Sequence, residues 1–267
     1  MWQVVYLGFE DLYMNFSRFG SGKPVVIVHG LFGNLDNLKS VANALSHFRE
    51  VICVDVRNHG DSPWAEDMEY ENMAQDVIQL LDELKLDKVD LVGHSMGGKI
   101  VMSCALLYPD RINAVVAADI APVTYTPHHG DVLQALANLD LHKVKNRSDA
   151  LKQLLADGID QGTAQFILKN MDFKTKPVSW KMNVQVLNRE YGSITSWPFK
   201  GKSYDAPILF VKGELSDYLT REHRPEVLEQ FPHAQVKIIT NTSHWLHAEK
   251  PAIFNKLVCD FLKKEGL

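Results

Sequence analysis

Apolar residues in this chain fall into short, mostly unbroken runs of strand length, at residues 25–28, 51–54, 89–92, 112–118, 207–211 and 236–240. Such runs lack the alternation expected of a strand with one wet face. They suit strands buried on both faces. Between them lie amphipathic stretches. Leu38, Val41, Ala42 and Leu45 recur at helical spacing, as do Met73, Val77, Leu80, Leu81 and Leu84. Helical patterns also follow at residues 99–108, 221–230 and 251–264. Strand and helix alternate, which predicts a mostly parallel sheet flanked by helices. Alternating runs at residues 3–7 and 12–19, closed by the turn at 20–24, predict an antiparallel hairpin. With it the sheet has eight strands.

The alternation stops after residue 121. Helical patterns follow one another at residues 132–139, 148–157, 163–170 and 179–191, with no strand pattern between them. This predicts a discontinuous core, residues 1–121 and 204–267, with a helical cap inserted at 122–203. Residues 122–200 hold 10 Lys and Arg against 7 Asp and Glu, in a chain of net charge −5. That local excess is either a solvated face or a surface that meets an anionic substrate.

Composition narrows the class. The 267 residues are 46% hydrophobic and 23% charged, enough for a large core. The negative net charge gives no case for nucleic acid or an anionic membrane as partner. No apolar run approaches a membrane span, and the first residues carry no signal-peptide pattern. Cys53, Cys104 and Cys259 are an odd set with no framework spacing and read as small buried residues. The expected location is the cytoplasm, and the expected assembly is a monomer or homodimer.

The chemistry centres on Gly93-His94-Ser95-Met96-Gly97-Gly98, which lies between a strand run and a helix pattern. A sharp strand-to-helix turn presents the serine at its apex, and the glycines let strand and helix approach. A serine hydroxyl needs a base, and the base needs a group that fixes its tautomer. His244 follows the last strand, so its loop emerges at the same sheet edge as Ser95. His247 is the fallback. The acid is Asp119 or Asp217, each just past a strand, with Glu214 a third option. Spacing does not choose among them.

An oxyanion hole needs two backbone N–H groups. Met96 is expected to supply one, and Leu31 or Phe32 the other, from the glycine-flanked loop after the first buried strand. His29, His59, His94 and Arg57 read as loop-structuring. Phe32, Phe166, Trp180 and Trp245 are candidate substrate contacts, with Ile167, Met171, Met182, Val186 and Leu187 as further cap positions that equally suit packing. No metal site is expected, because His128-His129 with Asp131 reads as a solvated cluster. No cofactor is implied either, since the chain has neither a G-x-G-x-x-G after a strand nor a Walker A loop.

With these residues in place, the chain resembles an α/β-hydrolase, and within that superfamily the YbfF-type bacterial esterases. The matching segments are His29-Gly30-Leu31-Phe32-Gly33, Asp55-Val56-Arg57-Asn58-His59-Gly60, the serine turn through Lys99, Asp119-Ile120-Ala121-Pro122 and His244-Trp245-Leu246-His247. The resemblance implies a serine ester hydrolase (carboxylesterase) for short to medium acyl esters, with acyl-CoA thioesters within its scope. It implies that the acid is Asp119 and that Ser216 supports the histidine.

The rival within the fold is a carbon-acid lyase of the menaquinone-biosynthesis type. A ligand-binding relative without catalysis would be expected to lack a triad member, and here serine, histidine and acid are all present.

Overall fold

The computed structural model describes residues 14–127 and 130–265. The hairpin arm expected at residues 3–7 and the pair His128-His129 lie outside the described residues. In chain order the first part comprises β1 (Phe16–Gly20), β2 (Lys23–Val28), α1 (Lys39–Leu45), β3 (Arg49–Val54), α2 (Tyr70–Glu83), β4 (Val89–His94), α3 (Met96–Leu107) and β5 (Ile112–Ala118). A segment of α4 (Gly130–Asn138), α5 (Arg147–Ala156), α6 (Gln161–Ile167), β6 (Met171–Asp172), β7 (Ser179–Trp180), α7 (Val184–Arg189) and α8 (Tyr191–Thr195) follows. The chain closes with β8 (Ile208–Gly213), α9 (Arg224–Gln230), β9 (Ala234–Ile239), α10 (Leu246–Glu249) and α11 (Pro251–Glu265).

Among the described residues the main sheet has seven strands rather than eight, in the order β1-β3-β2-β4-β5-β8-β9. β1 runs antiparallel to β3, and the other pairs are parallel. Successive strand residues supply opposite faces. Val26, Val28, Ile52 and Val54 pack with Met73, Val77 and Ile100 of α2 and α3. Val25, Ile27, Val51 and Cys53 pack with Val41, Phe254 and Val258 of α1 and α11. This double coverage explains why the strands read as unbroken apolar runs. The three cysteines are free, and Cys53 and Cys104 are buried. Among the described residues no helix is long and apolar enough to cross a membrane.

The inserted segment departs from the expected all-helical pattern. β6 and β7 pair antiparallel, Met171 with Trp180 and Asp172 with Ser179. The helix expected from residue 179 therefore starts only at Val184, where Asn183 caps it by accepting from the Val186 amide. Two-residue strands are too short to leave an alternation in the sequence.

Polar bonds tie this segment to α2, α9 and the loop after β2. Tyr70 Oη donates to the Ile194 carbonyl (2.6 Å), and Trp197 Nε1 donates to Gln230 Oε1 (2.9 Å). Asn170 Nδ2 donates to the Phe32 carbonyl (2.5 Å), and Asn34 Nδ2 donates to Asn170 Oδ1 (2.8 Å).

The start of α3 sits almost on the backbone of its neighbours. A Cβ on Gly97 would lie 2.3 Å from the Val28 carbonyl oxygen and 2.5 Å from that of His29. A Cβ on Gly93 would lie 2.1 Å from the Gly97 oxygen. Gly97→Ala is expected to lower unfolding free energy by about 1–3 kcal/mol through forced backbone displacement. Urea unfolding measures this, and an unchanged midpoint would contradict the close approach.

Candidate active site

Ser95 follows β4 at the N-cap position of α3 with φ 54 and ψ −122, a left-handed conformation costly for a residue with a Cβ. The Ser95 amide donates to the Ala118 carbonyl at 2.9 Å, and its own carbonyl accepts from the Lys99 amide at 3.1 Å. Backbone bonds on both sides therefore hold the strained turn, and Oγ projects from its apex.

The loop after β9 brings His244 to it. His244 Nε2 lies 2.9 Å from Ser95 Oγ, and Nδ1 lies 2.7 Å from Asp119 Oδ2. One tautomer satisfies both contacts: Nδ1–H donates to the carboxylate, and Nε2 accepts from the serine hydroxyl. Asp119 follows β5, is wholly buried and has φ 51, which turns its carboxylate toward the β8 loop. There Oδ1 accepts from the Gly213 amide (2.9 Å), and Oδ2 accepts from Ser216 Oγ as well as from His244. Three donors thus satisfy its two oxygens away from water and fix their direction. Asp217, the alternative, is exposed, and so is Glu214, which accepts from the Asn241 amide at 2.8 Å. The ring of Tyr218 stacks on His244 with centroids 4.0 Å apart and 25° between planes. Sequence reasoning assigned Tyr218 no role, and its place beside Asp217 was the only available signal.

Leu31 and Met96 both line the cavity beside Ser95. The Phe32 amide is already committed, donating to His59 Nε2 at 3.2 Å. Of the two candidates from that loop, Phe32 is thus the one whose amide is engaged. Met96 begins α3, where backbone N–H groups lack partners within the helix.

The expected loop-structuring residues do that work. His29 Nε2 accepts from the Val56 amide (3.0 Å), and His59 Nδ1 donates to the Arg57 carbonyl (3.0 Å). Arg57 grips Asp76 through two bonds of 2.7 Å and also bonds Asp67. His94 Nε2 donates to the His244 carbonyl (2.9 Å), fixing the loop that carries the base. His247, the fallback base, is buried against His94 at a centroid distance of 4.4 Å.

The cavity above Ser95 measures about 340 Å³. Phe32, Phe166 and Trp245 line it, as expected, with Phe166 and Trp245 rings 4.6 Å apart. Trp180 is a correction: it belongs to β7, packs against the core and is not on the cavity wall. The small hairpin holds it in the packing of the insert. Ile167, Met171, Met182, Val186 and Leu187 are likewise buried in that packing. Sequence reasoning missed Tyr70, Lys99, Tyr125 and Ile194, which form part of the wall. Among the described residues no group of three or more His, Cys, Asp or Glu is arranged to hold a metal ion.

The strained serine between strand and helix, joined to a histidine and a buried carboxylate, is the arrangement of a nucleophile elbow in a doubly covered sheet. Residues 23–251 match the family described as alpha/beta hydrolase fold, and the chain belongs to that family. It is 40% identical to esterase YbfF of Escherichia coli (strain K12), across 86% of this chain and 89% of that one. It is 38% identical to the sn-1-specific diacylglycerol lipase ABHD11 of Mus musculus, across 89% of this chain and 80% of that one. The solved structure of a marine microorganism esterase superposes with a TM-score of 0.91 at 37% identity, covering 94% of this chain and all of the other.

Burial holds four histidines neutral: His29 down to about 4, His59 to about 3, His247 to about 4, and His94 well below its ordinary value. In the unfolded chain they titrate near about 6.5, so below that pH the unfolded state binds more protons. Their contribution to stability is complete above about pH 6.5 and lost as pH falls toward about 4. The urea midpoint is expected to fall across that window. A flat profile would show that these rings are not held neutral.

Proposed function

We propose that the chain is a serine carboxylesterase acting on short to medium acyl esters, with thioesters as a secondary class. The single observation that carries this reading is the continuous chain of bonds Ser95 Oγ–His244–Asp119, at 2.9 and 2.7 Å. Ester-cleaving names among relatives about 40% identical support it.

In the proposed mechanism His244 Nε2 takes the Ser95 proton as Oγ attacks the ester carbonyl. The Leu31 and Met96 amides bind the developing oxyanion, an interaction typically worth about 3 kcal/mol per donor. His244 then protonates the departing alkoxide, leaving an acyl group on Ser95. Water, deprotonated by the same nitrogen, releases the acid and restores the serine. Asp119 holds the imidazole in its Nδ1–H tautomer and stabilises the transient cation. Ser216 and the Gly213 amide keep the Asp119 carboxyl group aimed at the imidazole. The inserted segment, 122–203, serves as the cap that closes the acyl pocket, with Phe166 on its wall.

Turnover of p-nitrophenyl and acyl-CoA substrates of increasing chain length tests the reading. Ser95→Ala is expected to cost at least about a thousandfold in kcat. Wild type that turns over none of these substrates would refute the esterase reading and favour the carbon-acid lyase. Asp119→Asn is expected to lower kcat by about 10³–10⁴, because the wrong tautomer is then held toward serine. Asp217→Asn is expected to leave kcat unchanged, and the reverse ranking would move the acid to Asp217.

A further inference from the structure

Lys99 lies four residues after Ser95 on α3, on the same side of the helix and one turn deeper. Its side chain lines the cavity yet is 1% exposed. Nζ donates to the Thr195 carbonyl at 3.0 Å and the Ser196 carbonyl at 2.8 Å. It also faces the rings of Tyr125, Tyr70 and Trp197, at 4.8, 5.5 and 5.9 Å from their centroids. These are surroundings built for a cation.

They lack an anion. Among the described residues no carboxylate pairs with Lys99. Asp160, the one carboxylate among the lining residues, is exposed and caps α6 by accepting from Thr163. Nor do the nearby hydroxyls stand in for one. Tyr70 Oη donates to the Ile194 carbonyl, and Tyr125 Oη donates to the Tyr218 carbonyl. An ammonium has three N–H donors, and the two carbonyls account for two. Burial alone pushes Lys99 down to about 7, as befits a cation with no charged partner.

We propose that Lys99 is the anchor for a carboxylate at the far end of the acyl chain, so that half-esters of short dicarboxylic acids are a preferred substrate class. This rests on the ester-hydrolase reading of Ser95. A carboxylate arriving from the cavity supplies the missing counter-charge and accepts the third N–H, in a dry site where a charge-assisted hydrogen bond is strong. Ser95 and Lys99 line the same cavity, with an axial rise between them of about 6 Å, so both ends of a short acyl arm fall within it. Tyr125, Ile194 and Ile120 line the intervening wall and suit its methylenes.

The test compares monomethyl glutarate with methyl pentanoate, an equal-length pair differing in the terminal carboxylate, by pH-stat with wild type and Lys99→Met. Wild type is expected to have a kcat/KM for the half-ester equal to or above that for the neutral ester. Lys99→Met is expected to lower kcat/KM for the half-ester about tenfold or more beyond any loss it causes on methyl pentanoate, with the difference mainly in KM. A wild-type kcat/KM that is about tenfold lower for the half-ester overturns the proposal whether or not the variant folds. So does an equal loss on both esters in a variant that retains its circular dichroism and thermal midpoint. Hydrolysis of p-nitrophenyl butyrate with rejection of the half-ester sinks this inference alone. Failure on every ester, with Ser95 unlabelled by a fluorophosphonate, sinks the hydrolase reading beneath it.

Discussion

The contact on which the site depends is the approach of the α3 N-terminus to the backbone of β2. Gly97 lies where any side chain would overlap the Val28 and His29 carbonyls. That closeness forces the abrupt reversal at Ser95 and its left-handed backbone. It also brings the first amides of α3 beside the loop that leaves β2, so Ser95 and the amides proposed as oxyanion donors share one origin. Neither could be moved without repacking the centre of the sheet.

Parallel register does the rest. β4, β5 and β8 are adjacent and end at the same edge, with His94 opposite Ala118 and Ala118 opposite Val211. The loops that follow therefore emerge side by side, and the one after β9 joins them. Two further backbone reversals, at Asp119 and Phe32, turn those loops inward. The strain they store is held by hydrogen bonds at their margins: the Asp119 amide to Val211, and the Phe32 amide to His59. Buried His29 and His59 work as neutral two-ended connectors, donating at one nitrogen and accepting at the other, and so stiffen the loops without placing charge near the reacting centre.

The sheet was legible in the sequence because double burial writes itself as unbroken apolar runs. The serine turn and His244 were legible because strand order and edge are enough to place them. The acid was not fixed by spacing, because Asp119 and Asp217 both follow strands. What separates them is a backbone angle that points one carboxylate inward and leaves the other exposed. The resemblance to a known family favoured Asp119, whose carboxylate is the one bonded to His244. Trp180 was misjudged because a pair of two-residue strands leaves no periodic trace. Lys99 went unassigned because a lysine in a helix pattern reads as a solvent-facing charge. Only the three-dimensional fold reveals that the insert covers it.

The bond from Asn170 to the Phe32 carbonyl, and from Asn34 to Asn170, joins the inserted segment to the loop that bears Leu31. An insert lifted at that end would carry away a partner of the Phe32 carbonyl and loosen the turn that aims the neighbouring amide. In the proposed mechanism, the seating of the insert and the aim of an oxyanion donor are therefore one structural condition. Asn170, which is not itself on the cavity wall, thus bears on that donor through two hydrogen bonds.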